Sequence, residues 1–139
     1  MATQRTKLKK AHRKVSGFNS TRRNLKKFGE NMGAELQKVA LATGLRVKAS
    51  AEQALMTGAG RAPDPKTFEL ANSIRLVVMK RSVRVGTAVM HGFYQEMGTT
   101  QHRAHPWLFP AMRAHRAYYG ESLKQLSVRA SKGLVPEDD

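Results

Sequence analysis

Apolar residues recur at steps of three and four from Leu25 to Ala54, through Phe28, Met32, Leu36, Val39, Thr43, Val47 and Ala51. That period predicts one amphipathic helix of roughly 35 residues, about 50 Å long at 1.5 Å per residue. Asn19 or Ser20 stands where a cap is wanted at its start. Gly29, Gly33 and Gly44 each weaken the helix by ~1 kcal/mol relative to Ala, and a break is expected first at Gly44. Gly58 and Gly60 end it, and Pro63 and Pro65 forbid its continuation.

After that loop, Thr67 is placed to cap a short helical turn over Phe68–Ala71. The period then changes to two. Ile74, Leu76 and Val78 alternate with Arg75, Val77 and Met79, and beyond Lys80-Arg81 the alternation resumes at Val83, Val85, Thr87 and Val89. This predicts an antiparallel hairpin with one buried face. Its turn lacks an Asn-Gly or Asp-Gly pair, so the pattern leaves the turn type open. A short helix is expected over His91–Met97, ended by Gly98, and a last helix from near Trp107 to about Ala130. Pro110 falls in the first turn of that helix, where a missing N–H costs little. Leu108, Met112, His115, Tyr119, Leu123 and Leu126 would form its apolar side. The expected fold class is α+β: long N-terminal and C-terminal helices packed on a small antiparallel β-sheet.

Composition adds a boundary at each end. The 139 residues suit one domain with a modest core, and aromatics at 6% leave that core to Leu, Val, Ile, Met and Ala. The net charge of +15 is unevenly spread. Arg5, Lys7, Lys9, Lys10, Arg13, Lys14, Arg22, Arg23, Lys26 and Lys27 all precede the first acid, Glu30, while Glu137, Asp138 and Asp139 close the chain. Residues 1–20 therefore read as a basic arm that stays extended until it meets a polyanion or an acidic surface. Residues 21–130 read as a single folded domain and 131–139 as a short acidic tail. There is no Cys, which excludes a disulfide scaffold, Cys-based zinc sites and a thiol nucleophile. No apolar run approaches the ~20 residues of a membrane span, and no apolar segment follows the basic N-terminus to make a secretory signal.

Candidate chemistry concentrates in His91–Arg113, and most of it has a plain structural reading. Glu96-x-Gly98-Thr99 has no second carboxylate near in sequence for paired acid–base work, so Glu96 is expected to cap or pair locally and Gly98 to supply a positive-φ turn. His91, His102, His105 and His115 match no zinc spacing, have no Cys or nearby Asp, and include Arg103 as a neighbour that opposes a cation. Trp107, the single Trp, stands between Pro106 and Pro110 with Leu108 and Phe109. Such a stiff aromatic cluster serves equally as core and as an interface anchor. The basic arm has three readings: a solvated tail, a phosphate contact without sequence readout, or a clamp on an acidic neighbour. No helix-turn-helix, zinc finger or ribonucleoprotein motif accompanies it.

The order of these residues resembles a family. Tyr94-x-Glu96-x-Gly98-Thr99, a variable loop, and His105-Pro106-Trp107-Leu108-Phe109-Pro110-Ala111 are similar to the signature of head–tail joining, or tail-completion, proteins of long-tailed bacteriophages. Upstream, Thr67-Phe68-Glu69-Leu70-Ala71-Asn72-Ser73-Ile74 and Val83-Arg84-Val85-Gly86 occupy the places of two further family segments. Phe68 departs from the usual Gly there. The resemblance spans about residues 21–130, but it does not reach the basic arm.

The resemblance implies a structural virion protein of the neck or tail end, made in the host cytoplasm. It implies a homo-oligomeric ring, expected as a hexamer, that joins capsid-side and tail-side rings and binds neighbouring connector and tail-tube proteins. It implies no catalysis and no cofactor, and the residue patterns above lead to no expected metal site or membrane partner. Tyr94, Glu96, Gly98, Thr99, His105, Trp107, Leu108 and Phe109 are then the expected subunit-interface residues. From charge alone, and not from the resemblance, Arg5, Lys7, Lys9, Lys10, Arg13, Lys14, Arg22 and Arg23 are the expected contacts to packaged DNA in the channel or to an acidic partner. The rival reading, from the charge alone, is a stand-alone nucleic-acid-binding protein.

Overall fold

A computed structural model describes the backbone of residues 2–57, 65–80 and 82–132, and side chains from Asn19 onward within those ranges except that of Pro65. The elements are α1 (Ala2–Thr57), α2 (Pro65–Ser73), β1 (Arg75–Val78), β2 (Val83–Gly86), α3 (Met90–Met97) and α4 (Leu108–Lys132). The chain is a mostly helical α+β protein with one two-stranded antiparallel sheet. It divides into two compact units, residues 1–34 and 35–139.

In the first unit the helix begins at Ala2, without the expected extended arm or a start at Asn19 or Ser20. Lys, Arg, Gln, Leu and Ala are good helix formers, and no Pro interrupts this stretch. Local propensity thus outweighs the like-charge repulsion on which the expectation of an extended arm rests. Leu25 is 57% exposed, while Phe28 and Met32 are half-buried.

In the second unit the inner face of α1 is Gly44, Val47, Ala51 and Leu55, at steps of three and four. Leu55 takes the buried place expected for Ala54, and Leu36 lies outside the core. The expected break at Gly44 does not occur. Gly44 is instead where α1 meets the hairpin. A Cβ there would lie 2.8 Å from Val83 Cγ1 and 3.0 Å from Leu76 Cδ1. The missing side chain lets the sheet approach the helix, which offsets the propensity cost of about 1 kcal/mol.

α2 starts at Pro65, earlier than the expected Thr67 cap, because proline is pre-organised for the first helical position. The hairpin pairs Arg75 with Gly86, Leu76 with Val85, Val77 with Arg84 and Val78 with Val83. The Met79 N–H donates to the Ser82 carbonyl at 2.8 Å across the turn. Ile74 is buried, and Leu76, Val83 and Val85 are half-buried, whereas Val77 and Val78 are exposed. The alternation therefore reads correctly except at Val78, which is 46% exposed. Gln37 Nε2 donates to the Met79 carbonyl at 3.3 Å and ties the hairpin tip to α1.

The buried cluster is Val47, Ala51, Leu55, Leu70, Ala71, Ile74, Trp107 and Ala111, with Val85 and Leu108 packed against it. α4 contributes Ala111 and half of Leu108, while the expected apolar positions Met112 and Tyr119 are 53% and 37% exposed. Leu108, His115, Leu123 and Leu126 are half-buried as expected, and the buried Ala111 joins them on the inner face. His115 Nε2 lies 2.7 Å from Ser50 Oγ on α1. One turn on, the Arg46 guanidinium of α1 stacks 4.1 Å from the Tyr118 ring centroid.

Candidate assembly surface

The segment joining α3 to α4 is built around one carboxylate. Glu96 Oε2 accepts hydrogen bonds from the backbone N–H groups of Trp107 at 2.8 Å and Leu108 at 2.9 Å, and Oε1 accepts from Phe109 N–H at 2.9 Å. These are donors that a helix start leaves without an intrahelical partner. A negative charge there also faces the positive end of the helix dipole. Glu96 thus caps α4 from the preceding helix, as expected for a local role.

Trp107 closes the same joint from inside. Its Nε1–H donates to the Gly92 carbonyl at 3.1 Å, and the side chain is buried. Gly92 gives the indole its room: a Cβ there would stand 2.5 Å from Thr87 Cγ2, 2.8 Å from Leu70 Cδ1 and 3.4 Å from Trp107 Cζ2. Thr87 is fixed in turn, with its Oγ1 2.6 Å from Ser73 Oγ and accepting the Val89 N–H at 3.1 Å.

Gly98 has φ of +77°, the left-handed region that favours glycine, and its N–H donates to the Tyr94 carbonyl at 2.8 Å. Thr99 Oγ1 accepts the His102 N–H at 3.0 Å, and the Thr99 N–H returns to the His102 carbonyl at 2.9 Å. His105 N–H donates to the Gln95 carbonyl at 2.7 Å. The loop therefore folds back on α3 and delivers Trp107 to the core.

This joint leaves α3 with an inverted face. Met90, Phe93, Tyr94 and Met97, at i, i+3, i+4 and i+7, are 67%, 58%, 49% and 65% exposed. The side toward the protein carries His91, Gly92, Gln95 and Glu96. On α4, Phe109 and Met112 are also exposed, and the Arg113 guanidinium lies 5.7 Å from the Phe109 ring centroid. The apolar stripe of α3 is thus turned outward, the reverse of an ordinary surface helix.

Of the expected interface residues, Tyr94 and Phe109 present apolar surface. Thr99 and His105 are exposed on the loop, while Glu96 and Gly98 hold its geometry. Trp107 is core: its indole is 4% exposed, so it can shape a contact surface but not supply one. Leu108 is half-buried against the same core. Met90, Phe93 and Met97 were not expected at the surface, although their helical spacing is visible in the sequence.

The histidines are dispersed. His91 Nε2 is 3.4 Å from Gln95 Nε2, His115 pairs with Ser50, and His102 and His105 are exposed. Among the described residues no group of three His, Cys, Asp or Glu side chains is placed to hold a metal ion. Among them, no helix is long and apolar enough to cross a membrane.

Arg22 and Arg23 are exposed on α1, with Arg23 Nε donating to the Asn19 carbonyl at 3.3 Å. Arg5, Lys7, Lys9, Lys10, Arg13 and Lys14 lie on the same helix, and their side chains fall outside the described residues.

Comparison with protein-family models, with curated proteins and with solved structures finds no match.

Proposed function

We propose that this chain is a structural protein of the phage head–tail junction, a tail-completion or connector subunit that assembles as a homo-oligomeric ring between capsid-side and tail-side rings. The observation that carries the reading is the outward apolar stripe of α3, Met90, Phe93, Tyr94 and Met97, together with the exposed Phe109 and Met112 at the start of α4. Exposed apolar area of this kind favours association. The residues that resemble the family signature are used for shape. Glu96, Gly98 and Trp107 build the joint that holds α3 in this orientation, and none of them is left facing a pocket with a free reactive group. That favours an assembly role over catalysis.

The test is mass and shape. Multi-angle light scattering and negative-stain imaging of the full chain should give one closed oligomer at micromolar concentration. A strictly monomeric protein at high concentration, with no such ring in assembled particles, would overturn the reading. The second reading, a stand-alone nucleic-acid-binding protein, rests on the exposed Arg22, Arg23, Lys26 and Lys27 of α1. It predicts a monomer that retards DNA.

A further inference from the structure

Three exposed cations stand close in sequence to the exposed apolar residues of α3 and the start of α4. Arg103 lies in the loop between the helices, Arg113 stacks over Phe109, and Arg116 stands one turn past Met112; all three are exposed. From Met90 to Arg116 the sequence holds one acid, Glu96, and its carboxylate is already occupied by three N–H groups. The surface therefore suits a short ligand that is apolar at one end and anionic at the other.

This chain contains such a segment. Leu134-Val135-Pro136-Glu137-Asp138-Asp139 follows α4 directly and gathers three of the ten acids of a protein whose net charge is +15. It lies outside the described residues. α4 is continuous from Leu108 to Lys132. At 1.5 Å per residue, Lys132 stands about 35 Å along the axis from Phe109 and about 30 Å from Met112. Residues 133–139 span at most ~25 Å when fully extended, and Leu134 reaches only ~7 Å past Lys132. Leu134 and Val135 therefore fall short of Phe109 and Met112 of their own copy.

We infer that residues 134–139 of one copy dock on the α3–α4 patch of the next, with Leu134 and Val135 against Phe93, Met97 and Phe109 and the acids against Arg103, Arg113 and Arg116. The inference deepens the ring reading and rests on it. A tail on one end and a patch on the other make a head-to-tail contact, the type that closes into a ring when the rotation permits. Burial of the apolar pair supplies affinity, and the charges supply orientation and salt dependence.

Two full-chain variants and a peptide test it. One variant lacks residues 133–139. The other carries Phe93→Asp and Phe109→Asp, both at exposed positions. Each alone should stay monomeric with the far-ultraviolet circular dichroism of the native chain. An equimolar mixture should give a 1:1 heterodimer and nothing larger, because one intact tail and one intact patch remain. A fluorescent peptide of residues 130–139 should bind the tail-less variant, lose about tenfold in affinity from low to high salt, and fail to bind the Phe93/Phe109 variant. If the tail-less chain assembles as the native chain does and the peptide does not bind, the tail contact is wrong and the ring reading stands. If the native chain is monomeric yet the peptide binds the patch, the contact stands and the ring reading falls. A monomeric native chain that also ignores the peptide overturns both.

Discussion

Glu96 and Trp107 hold the α3–α4 joint from opposite ends of the same turn. The Glu96 carboxylate takes the Trp107 N–H at 2.8 Å, and the Trp107 indole N–H returns to the Gly92 carbonyl, one turn before Glu96, at 3.1 Å. Neither bond fixes the joint alone. The carboxylate sets where α4 starts, and the indole sets how deeply that start is seated. Together they determine that Met90, Phe93, Tyr94 and Met97 point outward.

Removing the carboxylate should therefore cost more than an ordinary cap. Glu96→Ala leaves three N–H groups without their acceptor and removes a charge-assisted contact, which together predict a loss of about 2–3 kcal/mol. Glu96→Gln keeps one acceptor oxygen and should lose about 1–2 kcal/mol. Urea denaturation followed by tryptophan fluorescence measures both. Equal midpoints for the native chain and Glu96→Ala would mean that water replaces the carboxylate at no cost.

The indole can be taken apart in two steps. Trp107→Phe keeps an aromatic ring in the core but loses the bond to Gly92, an expected cost of about 1–2 kcal/mol. Trp107→Ala empties the site and should cost about 3–5 kcal/mol, a large share of the stability of a domain with so small a core. Circular dichroism melting curves should rank native, Phe and Ala in that order. Unchanged melting in Trp107→Ala would show that the buried cluster does not depend on this side chain.

Glycines offer an internal control. Gly92→Ala places a methyl group 2.5 Å from Thr87 Cγ2 and 2.8 Å from Leu70 Cδ1, so it should destabilise by about 1–3 kcal/mol despite the better helix propensity of Ala. Gly120 in α4 has nothing within 4 Å of its Cβ position. Gly120→Ala should stabilise by about 0.5–1 kcal/mol. Opposite signs in one denaturation series check the packing, and like signs would refute it.

These pairs also show what the sequence makes legible. The α3 and α4 helices, the hairpin and the positive φ of Gly98 follow from local signals: apolar period, a glycine after a short helix, and proline in a first turn. Glu96 can be read as a capping or pairing carboxylate, because no second acid stands near it. Its three donors lie 11 to 13 residues away, and only the fold of the loop selects them. Gly44 fails as a break for a related reason. Its propensity cost is local, but the gain from seating Val83 and Leu76 is tertiary. The same holds for α3. The spacing of Met90, Phe93, Tyr94 and Met97 says which residues share a face, and the buried Gly92 on the other side decides that this face is the outer one.

The basic start of α1 makes the last prediction, and it separates a contact role from a structural one. The core draws its α1 residues from Val47, Ala51 and Leu55, all in the second compact unit, so deleting residues 1–20 should leave that core and its melting transition intact. The deletion removes Arg5, Lys7, Lys9, Lys10, Arg13 and Lys14. If all six meet phosphate, the slope of log affinity against log salt should fall by up to about 5, at about 0.9 per contact. DNA retardation at several salt concentrations, with melting measured in parallel, reads both quantities. A smaller slope with unchanged melting supports phosphate contact. An unchanged slope with unchanged melting shows that these cations do not meet DNA; if assembly is also unchanged, the segment is idle and the charge argument fails. A lowered melting temperature would mean that the start of α1 stabilises the fold itself.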